Sequence, residues 1–308
     1  MTNDLAIVYE HPLWFEPLFA ALDTRGISYV KIPMAELSFD PADRKPPARV
    51  IFNRLAMSSI LRTGDHGIFS AMAAFEHWEQ CGATLINGAT ALGFDASKAR
   101  QLAKLSALGV DFPTTQIVHR HDQIARAAAE IGFPLLIKAN IGGAGAGIVR
   151  YDDAAALDAA IAAQSVPRSV DGVLLVQSLA SPRGGTITRI ETLAGRYLYG
   201  ISATSSGDNF DLCPADACIA QPGRSVVQMT KVEPSSEHIA AAERIVAACD
   251  IDVGGVEMMI DDATGKALFY DVNALSNFVA NPLEVLGWDP HERLVDYLET
   301  RIEARNSA

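Results

Sequence analysis

Between residues 135 and 151 the chain reads LLIKANIGGAGAGIVRY: an apolar run ending near Lys138, four glycines within six positions, then β-branched and aromatic residues. Gly142, Gly143, Gly145 and Gly147 disfavour any regular element, because glycine loses more backbone freedom on ordering than other residues. A dinucleotide-type glycine turn must open directly into a helix. Here Ile148, Val149, Arg150 and Tyr151 follow, and they favour a strand. The stretch therefore predicts strand, glycine loop, strand, and argues against an NAD-dependent oxidoreductase. Taken alone it fits two readings equally. One is a surface hairpin whose glycines only turn the chain; the other is a mobile loop whose bare N–H groups lie against an anion, with Lys138 adding charge.

At 308 residues the chain is long enough for a sizeable core and two or three lobes. Net charge is −12 and no run of lysine or arginine exceeds a pair, which excludes a sequence-independent grip on nucleic acid. No apolar run reaches membrane-spanning length, and MTNDLAIVYEHP lacks a basic leader, so no membrane partner and a cytoplasmic location are expected. Of four cysteines, only Cys213 and Cys218 are close, without a second pair or a nearby histidine; thiols are expected rather than zinc.

Along the chain, LAIVYE, a helical WFEPLFAALDTRGI and YVKIP give a β-α-β start. VIFNRL is a third strand ending in Asn53 and Arg54, and ATLIN a fourth, leading into a loop that holds Asn87. SKARQLAKLSALG carries a serine cap, helical apolar spacing and a closing glycine. After the glycine hairpin come a helix at AAALDAAIAAQ, a strand at GVLLVQSLA and two strands of TITRIETLAGRYLYGIS turning at Ala194-Gly195. Residues 203–225 read as a long irregular loop, followed by a capped helix, a hairpin turning near Asp262 to Gly265, and a C-terminal helix.

In that last hairpin, strand alternation puts Asp271 and Asn273 on one side, and counting through the turn sets Glu257 opposite Asp271. Val256, Met258, Leu268, Tyr270 and Val272 are then expected on the other face. Two facing carboxylates repel unless a cation or proton lies between them, and hard oxygen donors of this type suit magnesium shared with phosphate oxygens. A solvated polar face is the plain alternative.

In their order these motifs resemble the ATP-grasp superfamily, in particular its RimK-like carboxylate–amine ligases, typified by the ribosomal-protein glutamate ligase and related to glutathione synthetase. The resemblance spans nearly the whole chain. It implies an α/β fold: an N-terminal parallel lobe (1–95), a central ATP-binding subdomain with a glycine-rich lid (96–176), and a C-terminal subdomain with a magnesium site (177–308). SKARQLAKLSALGVDFPTT puts Lys98 at the first ATP-contacting lysine, and PLLIKANIGGAGAGIVR puts Lys138 at the second, with Gly142, Gly143, Gly145 and Gly147 over the phosphates. VLLVQSLA looks like the strand beside adenine, implying Gln177, Ser178 and Leu179. TITRIETLAGRYLYGIS carries the catalytic arginine, Arg189, while Glu257, Asp271 and Asn273 match the magnesium ligands. Arg54, Asn53 and Asn277 are expected at the substrate; for Arg54 an interface salt bridge is an equal alternative.

The chain departs from the family in two places. Ile201-Ser202-Ala203 stands where an arginine is frequent, and GDNFDLCPADAC replaces a basic loop of the glutamate ligases, so glutamate ligation does not carry over. What the resemblance implies is ATP with Mg2+, two ions or Mn2+, joining a small-molecule acid to an amine through an acylphosphate, in a homodimer or homotetramer. A kinase-like enzyme, a dipeptide ligase of the D-alanine:D-alanine type, and a nucleotide-binding regulator without turnover remain the alternatives.

Overall fold

The computed structural model describes residues 3–11, 13–63, 66–143, 145–204 and 228–306. Its first sheet is parallel: β1 (Asn3–Tyr9), β2 (Tyr29–Pro33), β3 (Ala48–Arg54) and β4 (Thr84–Ile86), in the order β2-β1-β3-β4. Leu5 to Val8 are wholly buried, as a parallel strand covered on both faces requires. The crossovers run through helices Glu16–Thr24 and Gly67–Gln80.

A second sheet is antiparallel: β5 (Thr115–Val118), β6 (Leu135–Ala139), β7 (Ile148–Tyr151) and β8 (Leu174–Ser178), in the order β5-β8-β6-β7. The glycine segment is the connection between β6 and β7, and Lys138 pairs with Ile148 across its base. Gly145 and Gly147 have φ of 73° and 74°. A Cβ on Gly147 would also lie 2.8 Å from that of Ala139, so this glycine is required twice over.

The third sheet comprises β9 (Pro182–Leu193), β10 (Arg196–Thr204), β11 (Gln228–Val232), β12 (Val253–Asp261) and β13 (Ala267–Asn273), in the order β11-β10-β9-β12-β13. Ala194 and Gly195 turn β9 into β10 with φ of 54° and 71°, the left-handed pair that a two-residue hairpin favours. Ala203 and Thr204 extend β10; residues 205–227, with Cys213, Cys218 and most of the expected long loop, lie outside the described residues.

The C-terminal helix Pro290–Asn306 returns to the first sheet. Leu294, Val295 and Leu298 share a core with Leu5, Ile7, Phe52, Tyr199 and Phe278, which joins the first and third sheets. No helix among the described residues is long and apolar enough to cross a membrane.

Candidate active site

Glu257 and Asp271 are paired across β12 and β13, as strand alternation predicts. The expected apolar face is only partly correct. The register slips by one residue between Glu257 and Met258, so Met258 faces Phe269 and Tyr270 is the extra residue. Val256, Met258, Phe269 and Val272 pack into the core, whereas Tyr270 lines the cleft beside Glu257 and Asp271, and Leu268, opposite Met259, is left out of that core. A bulge re-aims side chains in this way because it shifts a period of two by one. Burial, then the two carboxylates, push the Tyr270 phenol well above its usual range.

β13 is a sheet edge, and the helix Lys98–Ala107 covers it. Gln101, 2% exposed, donates to the Val272 carbonyl at 2.8 Å and accepts from the Val272 N–H at 3.1 Å. Its amide thus continues the ladder of an edge strand and fixes the residue between Asp271 and Asn273. Ser97 caps this helix, and buried Asn140, directly before the glycine segment, accepts from the Ala99 N–H at 2.8 Å. One turn above Gln101, Lys98 reaches Asp271 and binds its Oδ1. Burial lowers the Lys98 ammonium, but Asp271 and Glu257 outweigh it and hold it above the usual lysine value. Burial opposes ionisation of Asp271 too; Lys98 and Lys138 prevail and hold it low.

Arg189 on β9 is in register with Glu257 and donates to its Oε1 at 2.9 Å and to Glu191 at 2.6 Å. Its guanidinium lies against Gly255, where a Cβ would come within 2.6 Å of Nε. Burial and the Asp271 charge raise the Glu257 carboxyl; Arg189 opposes them.

Above these groups opens a cleft of about 270 Å³. Lys98, Lys138, Gly142, Gly143, Gly145, Gln177, Ser178, Leu179, Glu257 and Asp271 line it, so ten sequence-predicted positions converge on one space. Gly147 lines a separate, apolar cavity behind the glycine segment. The N–H groups of Ser178 and Leu179 are spent on Thr114 and Pro134, and the Gln177 amide on Thr115. Burial, then repulsion from Lys98, lowers the Lys138 ammonium to about 8.

Arg189 and Asn273 lie beneath this lining without forming part of it, and Arg54, Asn53 and Asn277 lie outside it. Arg54, 2% exposed, binds the Ser276 carbonyl and donates to Asn277 Oδ1 at 3.2 Å, and so pins the loop after β13 to the first sheet. Its Nε and Nη1 have no hydrogen-bond partner among the described residues. Asn53 is engaged internally with the Asn87 carbonyl and the Leu55 N–H, both at 2.9 Å. Sequence reasoning missed Gln101, Asn140, Glu191 and Asp95. The Asp95 carboxyl, raised to about 7 by burial and the Asp271 charge, stands near Lys98. Gln101, Asn140 and Asp95 act on groups far along the chain, which leaves no local pattern to read, whereas Glu191 stands two residues from Arg189 on one strand, and that alternation was a signal that could have found it.

Among the described residues no group of three or more His, Cys, Asp or Glu side chains could hold a metal. Two carboxylates with Asn273 alongside fit a different kind of site. Magnesium usually takes one or two carboxylates and completes its shell with phosphate oxygens and water, and the adjacent lysines suit those phosphates.

The model of the carbamoyl-phosphate synthase L chain, ATP binding domain, matches residues 95–192. A probable alpha-L-glutamate ligase of Klebsiella pneumoniae (strain 342) is 25% identical over 241 residues, 78% of this chain and 75% of the relative. The ribosomal protein bS6–L-glutamate ligase of Escherichia coli O7:K1 is 26% identical over 217 residues, 70% of this chain and 67% of the relative. The fold is that of the ATP-grasp ligase PsnB, solved with a phosphomimetic variant of its minimal precursor, Mg and ADP: TM-score 0.71 at 16% identity, covering 98% and 99% of the two chains. The chain thus has the fold of ATP-grasp ligases, carries a segment that matches an ATP-binding domain, and is similar over most of its length to glutamate ligases.

Proposed function

We propose that the protein joins a small carboxylic acid, an amino acid or short peptide, to an amine through an acylphosphate, with release of ADP and phosphate. The observation that carries this reading is the meeting of Lys98, Lys138, Glu257 and Asp271 at one cleft beneath the glycine segment. A carboxylate is a poor electrophile; it repels nucleophiles and lacks a leaving group. ATP supplies a phosphoryl group that makes one carboxylate oxygen a leaving group, and magnesium neutralises the charge this transfer develops. The amine then attacks the carbonyl carbon, expels phosphate and loses a proton, leaving the amide.

The chain's own residues position and neutralise. Glu257, Asp271 and Asn273 would hold one or two magnesium ions, with Mn2+ as a substitute. Lys98 and Lys138 would bind phosphate oxygens, and Arg189 would stabilise the transferred group from beneath. Gly142 to Gly147 would cover the phosphates and keep water from the acylphosphate. The spent N–H groups of Ser178 and Leu179 leave base recognition by backbone donors to Ala180 and Ser181, which line the same cleft.

The test is ADP release with magnesium and ATP over acids and amines offered singly and in pairs. Turnover that needs both members of a pair is the expected result. Turnover with one hydroxyl compound alone would indicate a kinase, and nucleotide binding without turnover a regulator; either sinks the ligase reading.

Lys138 gives this site a pH dependence. Its ammonium is depressed to about 8 in the free protein, and bound phosphates must raise it. Binding therefore takes up a proton above that pH. Nucleotide affinity is expected to hold below pH 8 and to fall above it. Calorimetry at pH 9 in buffers of different ionisation enthalpy should show the uptake, and Lys138→Arg should remove it.

A further inference from the structure

The groups assigned to the metal are already engaged within the protein. Asp271 Oδ1 accepts from Lys98, Asp271 Oδ2 accepts from Asn273 Nδ2 at 3.3 Å, and Glu257 Oε1 accepts from Arg189 at 2.9 Å. Arg189 cannot leave: it is 6% exposed, divided between Glu257 and Glu191, and seated on Gly255. Lys98 can. It stands in the first turn of its helix, lines the open cleft, and carries its charge on a flexible four-carbon stem. An ammonium beside a facing carboxylate pair occupies the electrostatic place of a metal cation.

We propose that Lys98 is the resident cation of the carboxylate pair, holding Asp271 closed to metal until nucleotide phosphates draw it away. Metal then enters with the nucleotide or after it. The proposal rests on the ligase reading of Glu257, Asp271 and Asn273. Because coupling is reciprocal, the factor by which nucleotide tightens metal binding equals the factor by which metal tightens nucleotide binding. Removing Lys98 should act with opposite signs on the two: weaker nucleotide, tighter metal alone. A lysine that only bound phosphate, or only filled space, would leave the affinity for metal alone unchanged.

The experiment titrates Mn2+ into the full chain and follows free Mn2+ by electron paramagnetic resonance, first without nucleotide and then with ADP. Lys98→Met is expected to bind Mn2+ alone about tenfold tighter than the parent, within the usual range of coupling between two sites. Lys98→Arg, which keeps the cation, should stay near the parent, and Asp271→Asn added to Lys98→Met should cancel the gain. Lys98→Gln runs in parallel, so a folding failure of one neutral variant leaves the comparison standing. Unchanged Mn2+ affinity in the neutral variants, with the parent binding Mn2+ in the presence of ADP, overturns the proposal and leaves the metal site intact. Failure of every form to bind Mn2+, with or without ADP, overturns both.

Discussion

Asp271→Asn is expected to lower kcat/KM for ADP release on the order of 10³-fold, with the fold retained. Asp271 faces Glu257 across the last hairpin, touches Lys98, and is held ionised by Lys98 and Lys138 against burial. The amide keeps the shape and loses the charge. A metal held by the remaining ligands would sit less firmly against the phosphates, and pre-organised electrostatic groups of this kind are worth about 10²- to 10³-fold each. The loss should fall on kcat more than on nucleotide affinity, because Lys98 and Lys138 remain. Steady-state ADP release over a range of Mg2+ concentrations checks this, alongside a melting curve near the parent's. Activity within tenfold of the parent would remove Asp271 from the metal shell.

Asn87→Ala should destabilise the protein by roughly 4 kcal/mol, a large share of the 5–15 kcal/mol that ordinarily holds a fold together. Asn87 is wholly buried, and its side chain serves four backbone groups. It donates to the carbonyls of Val253, at 2.6 Å, and Ala274, and accepts from the N–H groups of Asp252 and Val253 at 2.8 and 3.1 Å. Truncation leaves all four without that partner inside the protein, each costing about 1–3 kcal/mol when it cannot reach water. Its φ of 53° adds a further penalty for alanine, since asparagine tolerates that region better. Asn87→Asp, which keeps the shape but sets a second carboxylate oxygen against both carbonyls in a wholly buried site, should cost at least as much. Urea unfolding of the three proteins measures the series; a shift below about 1 kcal/mol for Asn87→Ala would mean that the loop relaxes around the gap. A residual loss of activity is also expected, because Ala274 follows directly on Asn273.

Much of this protein was readable in one dimension. The strand–glycine–strand hairpin, the capped helix at Lys98–Ala107 and the facing pair Glu257 and Asp271 each follow from a local period or a local turn, and each appears at the expected place. Tyr270 was misplaced for a definite reason. A bulge inserts one residue into one strand, so the period of two that located Asp271 fails one residue earlier in the same strand. Arg54 was legible as a strand-end arginine, but not as the group that ties Ser276 and Asn277 to the first sheet.

By itself the sequence determined the elements, their order, and which chemical groups end a strand or begin a helix, because those depend on neighbours within a few residues. Only the tertiary structure decided how the charges are shared. Gln101 completes the edge of β13, Glu191 and Gly255 seat Arg189, Asp95 stands beside Lys98, and Lys98 itself lies on Asp271. The Gln101 and Lys98 contacts join residues more than 170 positions apart, and burial sets their strength. A charge or amide has the same letter wherever it falls; what it does depends on which partners packing brings within about 3 Å and on how far water is excluded from them.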